Sequence, residues 1–340
     1  MKIAVCVSID ITGAGGVETH IRQLTQSLRD MGTQVDIYGK NALSPEQFHY
    51  QDYDIIHTHG CGFPTWMFAF FLKRKARQRH IHTLHGTSPG YLSACRCWLN
   101  WRCYNGSLIE YCLSRYADHV IAVSKHTARS AHRCFGVNYK KMTIIANGYT
   151  SHNMPVDTRA EIRKKLGLNA ENLVILFVGR GLDQVKGTKL ITSALNKIYP
   201  RYPHIRLLAI PGDGFGKAPW LIRTGPVPHE EIYRYYGAAD AFVNASLYEG
   251  MPLTVIEAMG AGLAIVAAPV GGIPERIEHN HNGLLLHPNR ANIADCLERL
   301  ITSGTLRGDF ARKAHHQASQ LTWSHIARET QKLYETVLSR

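Results

Sequence analysis

Tyr248 to Pro274 reads YEGMPLTVIEAMGAGLAIVAAPVGGIP. Glu249 and Glu257 stand in a Glu-x7-Glu spacing around a predicted helix start. Glu249 falls in the turn and Glu257 about two turns into the helix, so both carboxylates reach one cleft from different depths. The backbone amides of Gly250, Met251 and Leu253 open the helix, where the positive end of its dipole favours a phosphate or a sugar oxygen. Pro252 fits the first helical turn, where a missing N–H costs nothing. The helix leads into an apolar strand, Leu263–Ala267. Such a turn suits a ligand that is part anion and part polyol, as a nucleotide sugar is.

Outward from this stretch, short apolar runs alternate with helical segments along the whole chain. Ile3–Ile9 reads as a strand, followed by a glycine turn, a helix over Gly16–Met31 and a strand at Val35–Tyr38. Further strands are predicted at Ile55–Thr58, His82–His85, Val120–Val123 and Thr143–Ile145. A second series runs through Leu173–Val178, Arg206–Ile210, Ala241–Asn244, Leu263–Ala267 and Gly283–Leu286. This alternation predicts an α/β fold with two doubly wound parallel-sheet domains facing a cleft. The polar segment Gly148–Pro155 reads as the linker. Predicted domains are therefore 1–150 and 151–322, with 323–340 as a closing helix. Ligands of such sheets bind at the carboxyl ends of strands, which directs attention to the loops 11–18, 57–64, 85–90, 179–187, 212–216 and 247–253.

The 340 residues carry a formal net charge of +13, enough chain for two cores. No apolar stretch reaches the roughly 20 residues of a membrane span. The first apolar run ends at Asp10 and reads as a strand rather than a leader. Eight cysteines without a leader point to reduced thiols and a cytoplasmic location. No acidic residue occurs between Asp54 and Glu110, whereas Lys73, Arg74, Lys75, Arg77, Arg79, Arg96 and Arg102 do, with Trp66, Trp98 and Trp101. The run Trp66–Leu72 followed by five cations reads as a peripheral contact, residues 66–80, with an anionic membrane or an anionic lipid substrate. A solvated helix end beside a core helix is the alternative.

The remaining motifs are weaker. Gly13–Glu18 follows the first strand but fails as a dinucleotide fingerprint, because the third glycine would fall on Glu18 and the second strand ends without an acid for a ribose. Its glycines still let backbone amides approach a phosphate or an acceptor hydroxyl. Gly179–Gly187 lacks the Gly-Lys-Ser/Thr order of a P-loop, yet Arg180 and Lys186 can grip a diphosphate from two sides. Gly212–Gly214 reads as a turn. Asp52-Tyr53-Asp54 precedes a strand at the end away from the cleft and is rejected as a metal site. His57, His59, His82 and His85 gather near two strand ends, and His85 is the one expected to face the cleft; zinc would need a closed or three-ligand set. Cys95, Cys97, Cys103 and Cys112 fit no common zinc spacing. No metal ligands are therefore assigned.

Taken in order, these motifs resemble the retaining glycosyltransferases of family 4, with the two-domain GT-B fold of two Rossmann-like units. The resemblance runs through Gly15–Glu18, His57–Gly60, His82–Gly86, Ile121–Ser124, Asn147-Gly148, Phe177–Gly187, Gly212–Gly214, Gly225–Val227, the Glu249–Glu257 block and Gly271-Gly272. It departs at Thr150 and Ala264, where the family has Asp and Pro. It implies that Arg180 and Lys186 neutralise the donor diphosphate. Glu249, with the amides of Gly250, Met251, Pro252 and Leu253 as its turn, would hold the transferred sugar, and Glu257 the ribose. His85 would lie near the reacting sugar. Gly15 and Gly16 would line the donor site where it meets the acceptor, and the helix from Trp323 to Leu338 would cross back to the first domain.

The implied reaction moves a hexosyl unit from a UDP- or GDP-sugar to a hydroxyl, with retention and without metal or other cofactor, since cations and a helix N-terminus can take the metal's place. A lipid-linked glycan or glycolipid of a surface polysaccharide is the expected acceptor, reached from the inner membrane face. A soluble acceptor, such as a natural product or small sugar, is the alternative. A sugar-nucleotide 2-epimerase and a non-catalytic polyanion- or membrane-binding protein are rivals of other classes. Nucleic acid is not an expected partner.

Overall fold

A computed structural model describes residues 1–7, 9–13, 15–39, 49–60, 78–95, 101–151, 158–180, 182, 184–286 and 290–340, with backbone alone at 50, 95, 101–105, 158, 290 and 291. The basic and aromatic run from Trp66 to Arg77, Arg96, Cys97, Trp98, and the side chains of Trp101, Arg102, Cys95 and Cys103 lie outside the described residues. The chain divides into two units. Unit 1 comprises Met1–Gly148 and Trp323–Arg340, and unit 2 comprises Tyr149–Thr322.

Unit 1 is built on six parallel strands, β1 (Lys2–Cys6), β2 (Gln34–Tyr38), β3 (Ile55–His59), β4 (Arg79–Leu84), β5 (His119–Ala122) and β6 (Met142–Ile144), in the order β2-β1-β3-β4-β5-β6. Its helices are α1 (Gly16–Asp30), α2 (Ser88–Cys95), α3 (Trp101–Tyr116) and α4 (Lys125–Phe135). β3 and β5 are buried at every residue, the pattern of strands covered on both faces. α1 buries Ile21, Leu24 and Leu28, spaced to form one apolar stripe. α4 starts where Ser124 Oγ accepts from the Thr127 amide at 3.0 Å and stops at Gly136 in the left-handed region, a cap at each end.

Unit 2 repeats the plan with β7 (Leu173–Val178), β8 (Ile205–Ile210), β9 (Leu221–Arg223), β10 (Ala241–Asn244), β11 (Ala264–Ala267) and β12 (Leu284–Leu285), ordered β12-β11-β10-β7-β8-β9 and all parallel. Its helices are α5 (Thr158–Lys165), α6 (Thr188–Ile198), α7 (His229–Ala238), α8 (Leu253–Gly260), α9 (Arg290–Thr302) and α10 (Gly304–Ala318). Phe177, Ile191, Leu195, Trp220, Val243 and Phe310 share one core. The Trp220 indole N–H, which burial would otherwise strand, donates to Asn196 Oδ1 at 2.9 Å.

The last helix, α11 (Trp323–Leu338), belongs to unit 1 and packs on α1. Its Trp323 ring meets the His20 ring edge-on at 5.2 Å. Gly148 lies so close to Trp323 that an added Cβ would sit 2.8 Å from its ring. Tyr334, fully buried, shares a 2.7 Å hydrogen bond with His57 Nδ1.

Several sequence expectations shift. β1 ends at Cys6, not Ile9, because Asp10 Oδ1 takes the Thr12 amide at 3.0 Å and turns the chain. β4 starts at Arg79 rather than His82 and ends at Leu84; its polar residues hide a strand whose histidines turn one nitrogen each to the sheet, His80 and His82 both bonding Thr58 Oγ1. β9, only three residues long, gave no readable run. Pro252 is the residue before α8, with extended ψ, rather than inside its first turn, and Glu257 is one turn in rather than two.

Trp323→Ala removes the ring that closes α11 onto α1 and is expected to cost roughly 3–5 kcal/mol. Urea unfolding followed by circular dichroism checks this, and an unchanged midpoint would show that α11 is held by other contacts.

Candidate functional site

In unit 2 the chain runs from β7 outward to β8 on one side and returns to β10 on the other, so a switch point lies between β7 and β10, where doubly wound sheets place ligands. The loops leaving these two strands are tied to each other. The Leu247 amide donates to Val185 O at 2.7 Å. Gly187 caps α6 at φ 69°, and a Cβ there would lie 2.1 Å from Ala245 O. Only glycine permits both the left-handed backbone and this approach. Gly271, at φ 58°, lies equally close to Glu249 O, and the Gly272 amide donates to Gly250 O at 2.7 Å. Two loops, those after β7 and β11, thus hold one turn, residues 245–252.

The tie brings Lys186 Nζ to Glu249 Oε1 at 2.7 Å, and Ser246 Oγ donates to the same oxygen at 2.7 Å. Both partners are largely covered, with side chains 26% and 11% exposed. The cation is therefore held by a partly desolvated pair rather than waving in solvent. Arg180 lies two residues beyond β7 and is exposed. Gly250, Met251, Pro252 and Leu253 are buried as the turn enters α8. The arrangement presents cations, an acid and the start of a helix at one strand edge. Such a set can accept an anion and a hydroxyl-bearing group side by side.

Glu257, on α8, is part-buried and accepts from Tyr236 Oη at 2.8 Å. Burial pushes its carboxyl up to about 7, only partly offset by that hydrogen bond.

His85, Gly15 and Gly16 belong to unit 1. Gly15 precedes α1 and Gly16 opens it; the Glu18 side chain folds back over Gly15, where a Cβ would lie 2.3 Å from Oε2. His57 and His59 project from the same face of β3 with ring centroids 4.2 Å apart. His59 Nδ1 and His85 Nε2 are 3.1 Å apart. His82 is not part of this group: it turns with His80 to Thr58, whose side chain leaves β3 on the opposite face. Burial, reinforced by neighbouring imidazoles, holds His57, His59 and His85 well below the ordinary histidine range, and burial takes His82 down to about 3. These rings are neutral at physiological pH. Asp54 is structural: its Oδ2 accepts the Lys2 amide at 2.7 Å. Cys112, the described thiol of the cysteine series, is free.

Sequence reasoning missed Ser246, Tyr236 and His20. A serine three residues before Glu249 and a tyrosine one helix earlier carry no periodic signal. His20, on α1, joins the histidine group through the fold, with its ring 4.6 Å from His85.

Residues 172–303 match the family described as Glycosyl transferases group 1, and residues 38–151 match Glycosyltransferase Family 4. An uncharacterized glycosyltransferase of Methanocaldococcus jannaschii is 28% identical over 84% of this chain and 76% of its own length. A D-inositol 3-phosphate glycosyltransferase of Thermobifida fusca is 25% identical over 80% of this chain and 67% of its own. The Anabaena protein HepE, solved in complex with UDP-glucose, superposes with a TM-score of 0.78 at 19% identity, covering 99% of this chain and 100% of that one.

The Glu257 shift has a sign that can be tested. Its folded-state value lies above the ordinary 4.5, so the protonated side chain stabilises the fold fully below that pH. The contribution, up to roughly 3 kcal/mol, fades as pH rises through about 7. Glu257→Gln is expected to gain Tm relative to the parent as pH rises from 5 to 8; parallel Tm curves would show that Glu257 does not titrate in this range.

Proposed function

The chain belongs to the family 4 glycosyltransferases, and we propose that it transfers a hexosyl unit from a nucleoside-diphosphate sugar to a hydroxyl with retention at the anomeric carbon. The observation that carries this reading is the Lys186–Glu249 pair fixed between the β7 and β10 loops at 2.7 Å. Negative charge grows on the diphosphate as the glycosidic bond breaks, and preorganised cations and amides aimed at it supply the largest share of such catalysis. Lys186 and Arg180 take that charge. Glu249, which accepts from Lys186 and Ser246 on Oε1, offers Oε2 to a sugar hydroxyl and orients the ring. Glu257 receives the ribose, and His85 stands near the reacting sugar. Gly15 and Gly16 line the meeting point with the acceptor. The departing phosphate accepts the acceptor's proton, so neither a metal nor a covalent adduct on Glu249 is needed.

UDP is the proposed carrier, supported by the UDP-glucose bound to HepE, whose fold this chain shares. The proposed acceptor is a lipid-linked glycan or glycolipid bearing negative charge, met at the cytoplasmic membrane face. Support comes from the acid-free basic sequence between Asp54 and Glu110 and from the phosphorylated acceptor in the name of the Thermobifida fusca relative. No helix among the described residues is long and apolar enough to cross a membrane.

Thermal unfolding with UDP, GDP, ADP and CMP in turn, without metal, tests the donor reading. UDP at about 100 times its dissociation constant is expected to add about 2.7 kcal/mol, and no shift with any nucleotide would sink the assignment. Lys186→Ala is expected to retain the parent circular dichroism spectrum while UDP-sugar turnover falls about 100- to 1000-fold. Full turnover in that variant would remove Lys186 from the site.

A further inference from the structure

The histidine group of unit 1 holds an arrangement of which the transferase reading uses His85 alone. His20 comes from α1, His59 from the last position of β3, and His85 from the residue after β4. One nitrogen from each of the three rings lies within 4.8 Å of the others. His20 and His59 are each only 3% exposed. The Nε2 atom of His20 is buried without a hydrogen-bond partner, an unfavourable state for a polar atom unless something else occupies its lone pair or proton. His20 donates from Nδ1 to Asn147 Oδ1 at 2.8 Å, which places its proton on Nδ1 and leaves Nε2 as a donor atom for a metal.

We propose that His20, His59 and His85 form a binding site for a divalent transition metal, Zn2+ being the ion that three imidazoles suit. Imidazole nitrogen selects zinc and its neighbours in the series, whereas Mg2+ and Ca2+ require oxygen ligands that this trio does not supply. Tetrahedral zinc with bonds near 2.0–2.1 Å needs nitrogens about 3.3 Å apart. His59 Nδ1 and His85 Nε2 stand at 3.1 Å, so that edge is already formed, and closing the third corner from within 4.8 Å requires a movement of at most about 1.5 Å. The ion takes the place of the hydrogen now shared by His59 and His85, which moves to the other nitrogen of the ring that donates it, so that both facing nitrogens offer lone pairs. Three protein ligands leave the fourth position to water or a ligand oxygen. The outer contacts are those that orient metal-bound imidazoles. Asn147 fixes the His20 ring. His57, held by Tyr334 at Nδ1 and Thr83 at Nε2, both at 2.7 Å, packs against His59.

Metal binding to the intact, chelator-stripped chain tests this independently of any transferase activity. Co2+ titration is expected to give the visible absorption of a tetrahedral ion, saturating at one equivalent and displaced by Zn2+ but not by Mg2+. A chromophoric zinc chelator in competition gives the affinity, which is expected to fall at least tenfold in His20→Ala and His59→Ala. If circular dichroism shows that those buried variants do not fold, His85→Ala, at the half-buried ring, is expected to show the same loss. No cobalt band, or zinc affinity unchanged in every folded variant, overturns the proposal.

Discussion

Lys186 reaches Glu249 across 63 residues of sequence, and the architecture of unit 2 is what makes that reach possible. Parallel strands deliver successive loops to the same edge of a sheet, and the switch in strand order makes β7 and β10 neighbours. The backbone bond from Leu247 to Val185, the glycine contact at Gly187 and the Gly271-Gly272 turn then remove the remaining freedom. Two opposite charges drawn partly out of water repay little net stability, because desolvation offsets most of their attraction. Their value lies in position. In the proposed reaction, a cation fixed beside an acid would face an incoming diphosphate without reorganising, the condition under which electrostatic stabilisation is strongest.

Much of this was legible in the residues. Both doubly wound sheets followed from apolar runs alternating with helical segments, and the Glu249–Glu257 block pointed to its turn before any contact was known. Boundaries moved where a local polar group overrode the apolar pattern, as Asp10 does after β1, or where a strand was polar, as at His80 and His82. What sequence could not show was company. Ser246 and Tyr236 bond to the two glutamates through tertiary packing, and His20 reaches His85 from a helix whose pattern marks only its apolar stripe. Residues joined by crossovers leave no spacing to read.

The two units use the same geometric opportunity for different chemistry. In unit 1 the strand order also switches, between β1 and β3, and the helix that follows β1 brings His20 to His59 at the end of β3. There the groups are imidazoles kept neutral by burial; in unit 2 they are a cation and a carboxylate. A shared topology fixes where side chains converge, while the side chains alone decide what the place can bind.

The return of α11 to unit 1 bears on the order in which the chain comes into existence. Unit 2 is one uninterrupted segment, whereas unit 1 is assembled from the segments that precede and follow it. On the ribosome, the first 148 residues emerge without the helix that covers α1 and without the hydroxyl that His57 Nδ1 meets. Unit 2 has every residue it needs before that helix has been translated. Domains generally mature in the order of synthesis; here the second unit can finish first, and the first is sealed only by the sixteen-residue helix that follows unit 2.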